Sequence, residues 1–388
     1  MRRAVIVDIV RSPFGRGRAG GALSAMHPVD LYAHVLGALV NRTGIDPALI
    51  EDVITGCVIQ VAEQSGNIGR QAALAAGFPE NVAAVTLDRK CGSAQQAFDF
   101  AAQGVIAGAY DVVIAGGVEM MSVVPMRINR MGKDNEGPLF HARYPEGMVR
   151  QGVSAELIAA RWGISREAMD RFSATSHQRA IAAEDAGLTA RSIVPVGLVE
   201  RDEGPRRDTS FEKLSALKPA FEDDAALARF PQIRWSVTAG NSSQVTDGAS
   251  AALIVEEGLA HRLGLKPRAV VTHFAVLGDD PILMLTAIIP ATRKLLARAG
   301  LGIDAVDCFE VNEAFASVVL AWMRDTGADP EKVNAYGGAI ALGHPVGASG
   351  GRLLANLLTR LEATGGRYGL QTMCESGGMA NATLIERL

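Results

Sequence analysis

Gly343-His344-Pro345-Val346-Gly347-Ala348-Ser349-Gly350, then Leu353, Leu354, Leu357 and Leu358, then Gly369-Leu370-Gln371-Thr372-Met373-Cys374-Glu375-Ser376-Gly377-Gly378: the order of these pieces decides the fold. A glycine-rich turn leads into leucines at helical spacing, and the run after them has strand character and ends at a glycine pair. The same order occurs upstream. Lys90-Cys91-Gly92-Ser93 precedes a helical pattern from Ala94 to Ala107, then a strand from Val112 to Ala115 expected to end at Gly116-Gly117. The two passages barely match residue for residue, so the duplication is weak in sequence. It still predicts an α/β fold of two similar halves packed together.

Outward from these passages, Ala4 to Val10, Val53 to Ile59 and Val82 to Leu87 read as strands, and Leu31, Val35, Leu36 and Leu39 mark a helix. After Met120 the character changes. Residues 121–150 mix methionine, arginine, asparagine, glycine and proline without a clear period, and helices are expected around 152–162 and 166–186. Arg201 to Arg207, charged and carrying Gly204-Pro205, is expected to be an exposed loop. Strand and helix alternate again from near Asp247. The expected division is therefore 1–119 plus 247–267 as one half, 120–246 as an inserted loop domain, and 268–388 as the other half. Insertions of that size usually cover an active site or bind a ligand.

Composition narrows the function classes. A chain of 388 residues, 48% hydrophobic, can bury a large core in two or three units. A net charge of -4 argues against nucleic acid as a partner. Cys57, Cys91, Cys308 and Cys374 contain no C-x-x-C pair, which speaks against a zinc ribbon or a thioredoxin-like site, and no metal is expected. So few cysteines suit a reducing compartment. The apolar run near the N-terminus is broken by Asp8 and Arg11, a first strand rather than a signal peptide. No apolar stretch reaches the roughly 18 residues of a membrane helix. The expectation is a cytoplasmic protein without membrane insertion.

Three residues suggest covalent acyl chemistry. Cys91 precedes a helix with no charge before Asp99, and a helix N-terminus is expected to lower a thiol pKa. His344 lies among glycines, where a ligand can approach the backbone, and Cys374 ends a strand beside Gly377-Gly378. Taken singly, each has an ordinary structural reading: a small buried hydrophobe for a cysteine, a core position for a histidine. Cys57 and Cys308, inside apolar strand patterns, keep that reading. Asn312, at the end of the run Val306 to Val311, can donate to an oxyanion or position a water; helix capping is the commoner use.

Together the Cys91 segment, Asn312-Glu313-Ala314-Phe315, Gly337-Gly338-Ala339-Ile340-Ala341-Leu342-Gly343-His344-Pro345 and the Cys374 segment resemble the four signature blocks of thiolases. Thr238-Ala239-Gly240-Asn241-Ser242-Ser243, Ser122 to Pro125 and Arg11-Ser12-Pro13-Phe14-Gly15 fit the same pattern, so the resemblance covers essentially the whole chain. It implies a thiolase-like five-layered αβαβα fold with a loop domain inserted in the first half. The implied reaction is cleavage of 3-ketoacyl-CoA by CoA, or the reverse Claisen condensation.

By this resemblance Cys91 carries the acyl group. His344 activates Cys91 and later the CoA thiol, and Cys374 exchanges a proton with the acetyl-CoA enolate. Two bases are needed because the proton transfers occur at different atoms. Asn312, through a water, and His344 form one oxyanion hole; the backbone N–H groups of Cys91 and Ser376 form the other. Arg206, Phe221, Ala239, Ser243 and Met284 fall where the family contacts CoA, a co-substrate, with no permanently bound cofactor implied. A homodimer or homotetramer is implied as well.

Three departures stand out. Ser376 occupies a place where the family commonly has glycine, and it is strained if that place needs positive φ. Arg150-Gln151 and Ala287-Ile288 replace the His-Met and Gly-Pro often seen in acetoacetyl-CoA thiolases. They tilt the reading from an acetoacetyl-CoA-specific acetyltransferase toward a degradative enzyme. A thiolase-like acyl-CoA or lipid binder without turnover, and a cysteine hydrolase, rank below both. All four catalytic positions are kept, and a hydrolase has no need of a second cysteine.

Overall fold

The computed structural model describes residues 2–388. Ten strands form one sheet: β1 (Ala4–Arg11), β2 (Gly15–Arg16), β3 (Asp52–Gly56), β4 (Ala83–Leu87), β5 (Val112–Met120), β6 (Thr246–Glu256), β7 (Ala269–Gly278), β8 (Cys308–Val311), β9 (Tyr368–Glu375) and β10 (Met379–Arg387). Their order is β4-β3-β5-β6-β1-β7-β10-β9-β8, with β2 beside β6. The connectivity mirrors itself about the centre. The helix Ser93–Ala107 leads to β5 and the helix Ser349–Thr364 leads to β9. Each of those strands pairs antiparallel with the strand that follows it, β6 or β10, and parallel with an earlier one, β3 or β8. β1 and β7 join the halves through two residue pairs only, Val5–Val270 and Ile6–Ala269.

Alternation along the strands builds the layers. Val112 and Ile114 of β5 and Leu253 and Val255 of β6 pack with Leu31, Val35 and Leu36 of the helix Pro28–Thr43. Their neighbours Val113, Ala115, Ala252 and Ile254 face the other way, onto Ala97, Phe98, Leu354 and Leu358 of the two central helices. In the second half Phe309, Val311, Leu370 and Leu384 meet the helices Ile288–Ala299 and Ala316–Thr326. Val271, Cys308 and Ile385 of this half also pack on the two central helices. The two halves of the one sheet thus form two layers, and the order is helix, half-sheet, helix, half-sheet, helix, as expected from the resemblance. β1 needs a correction within this pattern. Strict alternation would put Ile9 with Val5 and Val7, but a bulge between Ile6 and Asp8 returns it to the face of Ala4 and Ile6.

One expectation from glycine is overturned, and one from charge holds in part. The strand expected to stop at Gly116-Gly117 runs through both to Met120. A Cβ at Gly116 would stand 2.0 Å from the Ser250 carbonyl oxygen, and one at Gly117 would stand 2.0 Å from that of Gly347. These glycines permit close backbone approach and do not mark a turn. The charged stretch Arg201 to Arg207 is the expected loop, with Arg201, Arg206 and Arg207 exposed, but it is pinned at Asp202 and Gly204. Asp202 is buried and takes a two-pronged bond from the fully buried Arg11, at 2.6 and 2.7 Å, and Gly204 lies against the Ala341 carbonyl.

Residues 121–245 add no strand to the sheet. Their helices Gln151–Arg161 and Arg166–Asp185 lie within a residue of expectation. Ala155, Ile158 and Met169 pack into the outer helical layer of the second half, with Val318 and Val319. The segment leaves the first half and roofs the second. Among the described residues no helix is long and apolar enough to cross a membrane, and no group of three or more His, Cys, Asp or Glu side chains could hold a metal ion.

Candidate active site

Cys91 sits at the turn that enters the helix Ser93–Ala107, whose N-cap residue, Gly92, offers no side chain. It is buried among Val58, Ile59, Met121, Val346, Leu353 and Met373. The helix terminus was expected to lower its pKa, but desolvation wins. Burial, with the Glu375 carboxyl adding to it, pushes the Cys91 thiol up to about 12. At neutral pH this sulfur carries its proton until a base removes it.

Cys374 lies on β9, paired with Ala380 of β10, and is buried. Its pKa is also raised, by burial first and then by Cys91 and Glu375. The two cysteine segments touch: a Cβ on Gly92 would stand 2.1 Å from Glu375 Oε1. A side chain after Cys91 would have to displace the Glu375 carboxyl.

His344 is held at both ends. Its N–H donates to Thr246 Oγ1 (2.9 Å) and to the Gln244 carbonyl (3.1 Å). Its ring Nδ1 is 2.5 Å from Ser349 Oγ, and that hydroxyl donates to the Pro345 carbonyl at 2.9 Å. Ser349 therefore accepts from Nδ1–H, which leaves the lone pair on Nε2, 3.3 Å from Asn312 Nδ2. Burial, then the Arg352 charge, pushes the imidazole down to about 3, so it is neutral near pH 7. Asn312 follows β8, and its N–H donates to the Thr372 carbonyl at 3.1 Å. It caps no helix: the next one begins at Ala316, with Phe315 as N-cap.

The histidine loop belongs to the second half but lies on the first. Gly347 N–H donates to Glu119 Oε2 at 3.1 Å, and Ser250 Oγ donates to the Ala348 carbonyl at 2.9 Å. Gly350 is so close to the start of the Cys91 helix that a Cβ there would stand 2.4 Å from Gln95 N. Glu119 also accepts from Val58 N–H (2.8 Å), Ile59 N–H (3.2 Å) and Gln64 Nε2 (2.7 Å). Desolvation still lifts it to about 7, against those donors.

Ser376 opens the turn between β9 and β10. Its φ is not left-handed; Gly377 at 92° and Gly378 at 78° take that conformation. The strain foreseen for a serine here does not arise.

Of the five residues expected near CoA, three gather at the segment after Asn312. Ser243 N–H donates to the Ala314 carbonyl at 2.9 Å. Phe221 meets Phe315 edge-on at 5.8 Å. Met284, with φ of 55°, lies in the same apolar cluster as Phe315. Ala239 is exposed on a short turn capped by Thr238. Arg206 stands apart: its N–H donates to His177 Nδ1 at 3.1 Å, and it is exposed. Arg150 is exposed just before the helix Gln151–Arg161, and Ala287 and Ile288 are buried at the start of the helix Ile288–Ala299.

Sequence reading missed Ser349, which orients the imidazole, and Glu119, which anchors its loop. Ser349 stood in the opening stretch unassigned. Glu119, a lone acid in the apolar run Val112–Met120, was the available signal.

The thiolase N-terminal domain family matches residues 4–258, and the thiolase C-terminal domain family matches residues 265–387. A protein of Mycobacterium tuberculosis named steroid 3-ketoacyl-CoA thiolase FadA6 is 47% identical, covering 100% of this chain and 95% of its own length. A 3-ketoacyl-CoA thiolase of Aliivibrio fischeri is 41% identical over the full length of both. Among solved structures, the Bacillus anthracis acetyl-CoA acetyltransferase aligns with a TM-score of 0.89 at 36% identity, covering 100% of this chain and 99% of that one. Family matches on both halves, full-length relatives and the shared fold agree: this chain belongs to the thiolase family of acyltransferases.

Proposed function

We propose that the protein cleaves 3-ketoacyl-CoA with CoA, yielding acetyl-CoA and an acyl-CoA shortened by two carbons, through an acyl group carried on Cys91. The observation that supports this best is a pair of buried free cysteines, near enough that Cys91 adds to the raised pKa of Cys374, under a histidine loop that packs on the Cys91 helix and fixes the imidazole proton on Nδ1. The Cys91 proton passes to His344 Nε2 as sulfur attacks the 3-keto carbon. The C2–C3 bond then breaks, its electrons form the acetyl-CoA enolate, and the Cys374 S–H protonates C2. The His344 proton then passes to the Cys374 thiolate, which resets both groups. CoA enters, His344 takes its thiol proton, the new sulfur attacks the acyl carbon, and Cys91 leaves and regains that proton from His344. Asn312, through a water, and His344 hold the thioester enolate oxygen, and the N–H groups of Cys91 and Ser376 hold the oxyanion on the 3-keto carbon.

A neutral thiol and a neutral imidazole at rest imply that proton transfer accompanies attack, rather than a stored ion pair. Coenzyme A is a co-substrate, contacted by Phe221, Ser243, Met284, Ala239 and Arg206, and no cofactor is bound permanently. Arg150-Gln151 and Ala287-Ile288 favour acyl groups larger than acetoacetyl, and the names of the 47% and 41% identical relatives point the same way. The second reading, an acetoacetyl-CoA-specific acetyltransferase, takes its support from the named structure of similar fold.

A single assay separates the two. Acetoacetyl-CoA, a long-chain 3-ketoacyl-CoA and a ring-bearing steroid 3-ketoacyl-CoA are each incubated with CoA while ketoacyl absorbance is followed. Loss with the larger substrates is expected; loss with acetoacetyl-CoA alone supports the second reading, and no turnover by folded protein defeats both. Cys91→Ala is expected to form no acyl-enzyme. Cys374→Ala is expected to accept an acyl group on Cys91 but neither make nor break the carbon–carbon bond, and normal thiolysis would refute its role.

A homodimer or homotetramer in the cytoplasm completes the proposal. β4 is an edge strand paired only with β3, its Val85 is 44% exposed, and it ends four residues before Cys91. Such an edge invites pairing with a second copy, which light scattering on the purified protein tests.

A further inference from the structure

One buried acid has no part in the chemistry above. Glu375 follows Cys374 directly and is fully buried, and neither of its carboxyl oxygens has a hydrogen-bond partner. The Cβ position of Gly92, the residue after Cys91, is 2.1 Å from Glu375 Oε1 and 3.0 Å from Asn381 Oδ1, a second buried acceptor without a donor. The carboxyl therefore lies between the segments that carry the two cysteines. Each of these acceptors is buried beside Gly92 without a donor; an ionised carboxyl in such a place is costly, and Glu375 can relieve that cost by holding a proton.

The groups facing it are few. The turn before the helix Ser93–Ala107 supplies Cys91, Asp88 and Arg89; Lys90 of that turn is paired to Asp88 at 2.6 Å. The helix supplies Asp99, its own strand supplies Cys374, and β10 supplies the neutral Asn381. Burial raises Glu375 to about 8; Arg89 opposes this, and Asp99 and Asp88 add to it. Glu375 is in turn a cause of the raised pKa of both cysteines.

We propose that Glu375 is a positioning residue for the cysteine pair: uncharged, it allows a thiolate on Cys91 or Cys374, and ionised, it opposes one. This rests on the two-cysteine reading of the site. No bond to Glu375 forms or breaks, and only its proton exchanges with solvent.

The test compares wild type, Glu375→Gln and Arg89→Gln from about pH 7 to about pH 10. It reads kcat/KM for thiolysis and the rate of iodoacetamide alkylation at Cys91, resolved by mass spectrometry. Wild type is expected to lose activity as pH passes about 8, and Glu375→Gln to lack that fall. At the alkaline end Cys91 in Glu375→Gln is expected to alkylate about tenfold faster, a thiol pKa lower by about one unit. Arg89→Gln is expected to move the wild-type fall to higher pH, because removing a cation favours the neutral acid. Superimposable profiles for wild type and Glu375→Gln overturn the inference. If Glu375→Gln does not fold, the Arg89→Gln shift carries the test alone, and an unmoved fall overturns it. Turnover by Cys91→Ala would instead remove the underlying reading of the site, which separates the two failures.

Discussion

His344 shows how much a single buried ring can set. In the unfolded chain its imidazole titrates near 6.5, and in the folded protein near 3. Between those values the unfolded state holds one proton more, so the histidine makes stability fall on acidification, by about 1.4 kcal/mol per pH unit, while its contribution above pH 6.5 is complete. Urea unfolding of wild type and His344→Asn at about pH 7 and about pH 5 should therefore differ, the wild type losing about 2 kcal/mol more on acidification. An equal loss in both would mean the ring charges freely in the fold. Ser376 makes the opposite kind of test. Because Gly377 and Gly378 supply the left-handed residues, Ser376→Gly should lower stability by about 0.5–1 kcal/mol through added freedom in the unfolded chain. A gain in melting temperature would reveal strain at Ser376.

At the scale of elements, what the sequence made legible is what depends on local period. The helices Ser93–Ala107, Gln151–Arg161 and Arg166–Asp185 follow from apolar spacing, and each lies within a residue of its expected bounds. The run through Gly116-Gly117 was not legible, because the reasons for those glycines are the carbonyls of Ser250 and Gly347, each more than a hundred residues away in the chain. Asp202 was not legible either, since its partner Arg11 sits on the first strand. The candidate site divides likewise. Cys91, Asn312, His344 and Cys374 stood out through their ordered motifs, while Ser349, Glu119 and Glu375 matter through contacts that only the fold creates. Gly117→Ala tests the element-level claim. Its methyl group would collide with Gly347, so the variant should lose about 1–3 kcal/mol of stability and about a hundredfold or more in kcat as the histidine loop shifts. Wild-type kinetics would show that the loop tolerates displacement.

On the scale of the whole molecule, buried charge ties distant parts of the chain together. Arg11 on β1 holds Asp202 of the inserted segment, and Arg268, next to β7, reaches Asp8 of β1 at 2.8 Å and Glu362 at 2.7 Å. Asp202→Ala leaves a fully buried guanidinium without its partner and should cost about 3–5 kcal/mol, read as a drop in the urea midpoint. A loss under about 1 kcal/mol would mean that water reaches Arg11.

The mirrored strand order has a further consequence. Cys91 comes from one half, and His344 and Cys374 come from the other, while the chain between the halves crosses at Leu263 to Pro267, largely at the surface. A nick there would leave two fragments, each with its own strands and neither with a complete set of reacting groups. Separately expressed, the pieces should be silent, and mixing them should restore turnover in proportion to reassembly. The enzyme would then serve as its own reporter of fragment complementation.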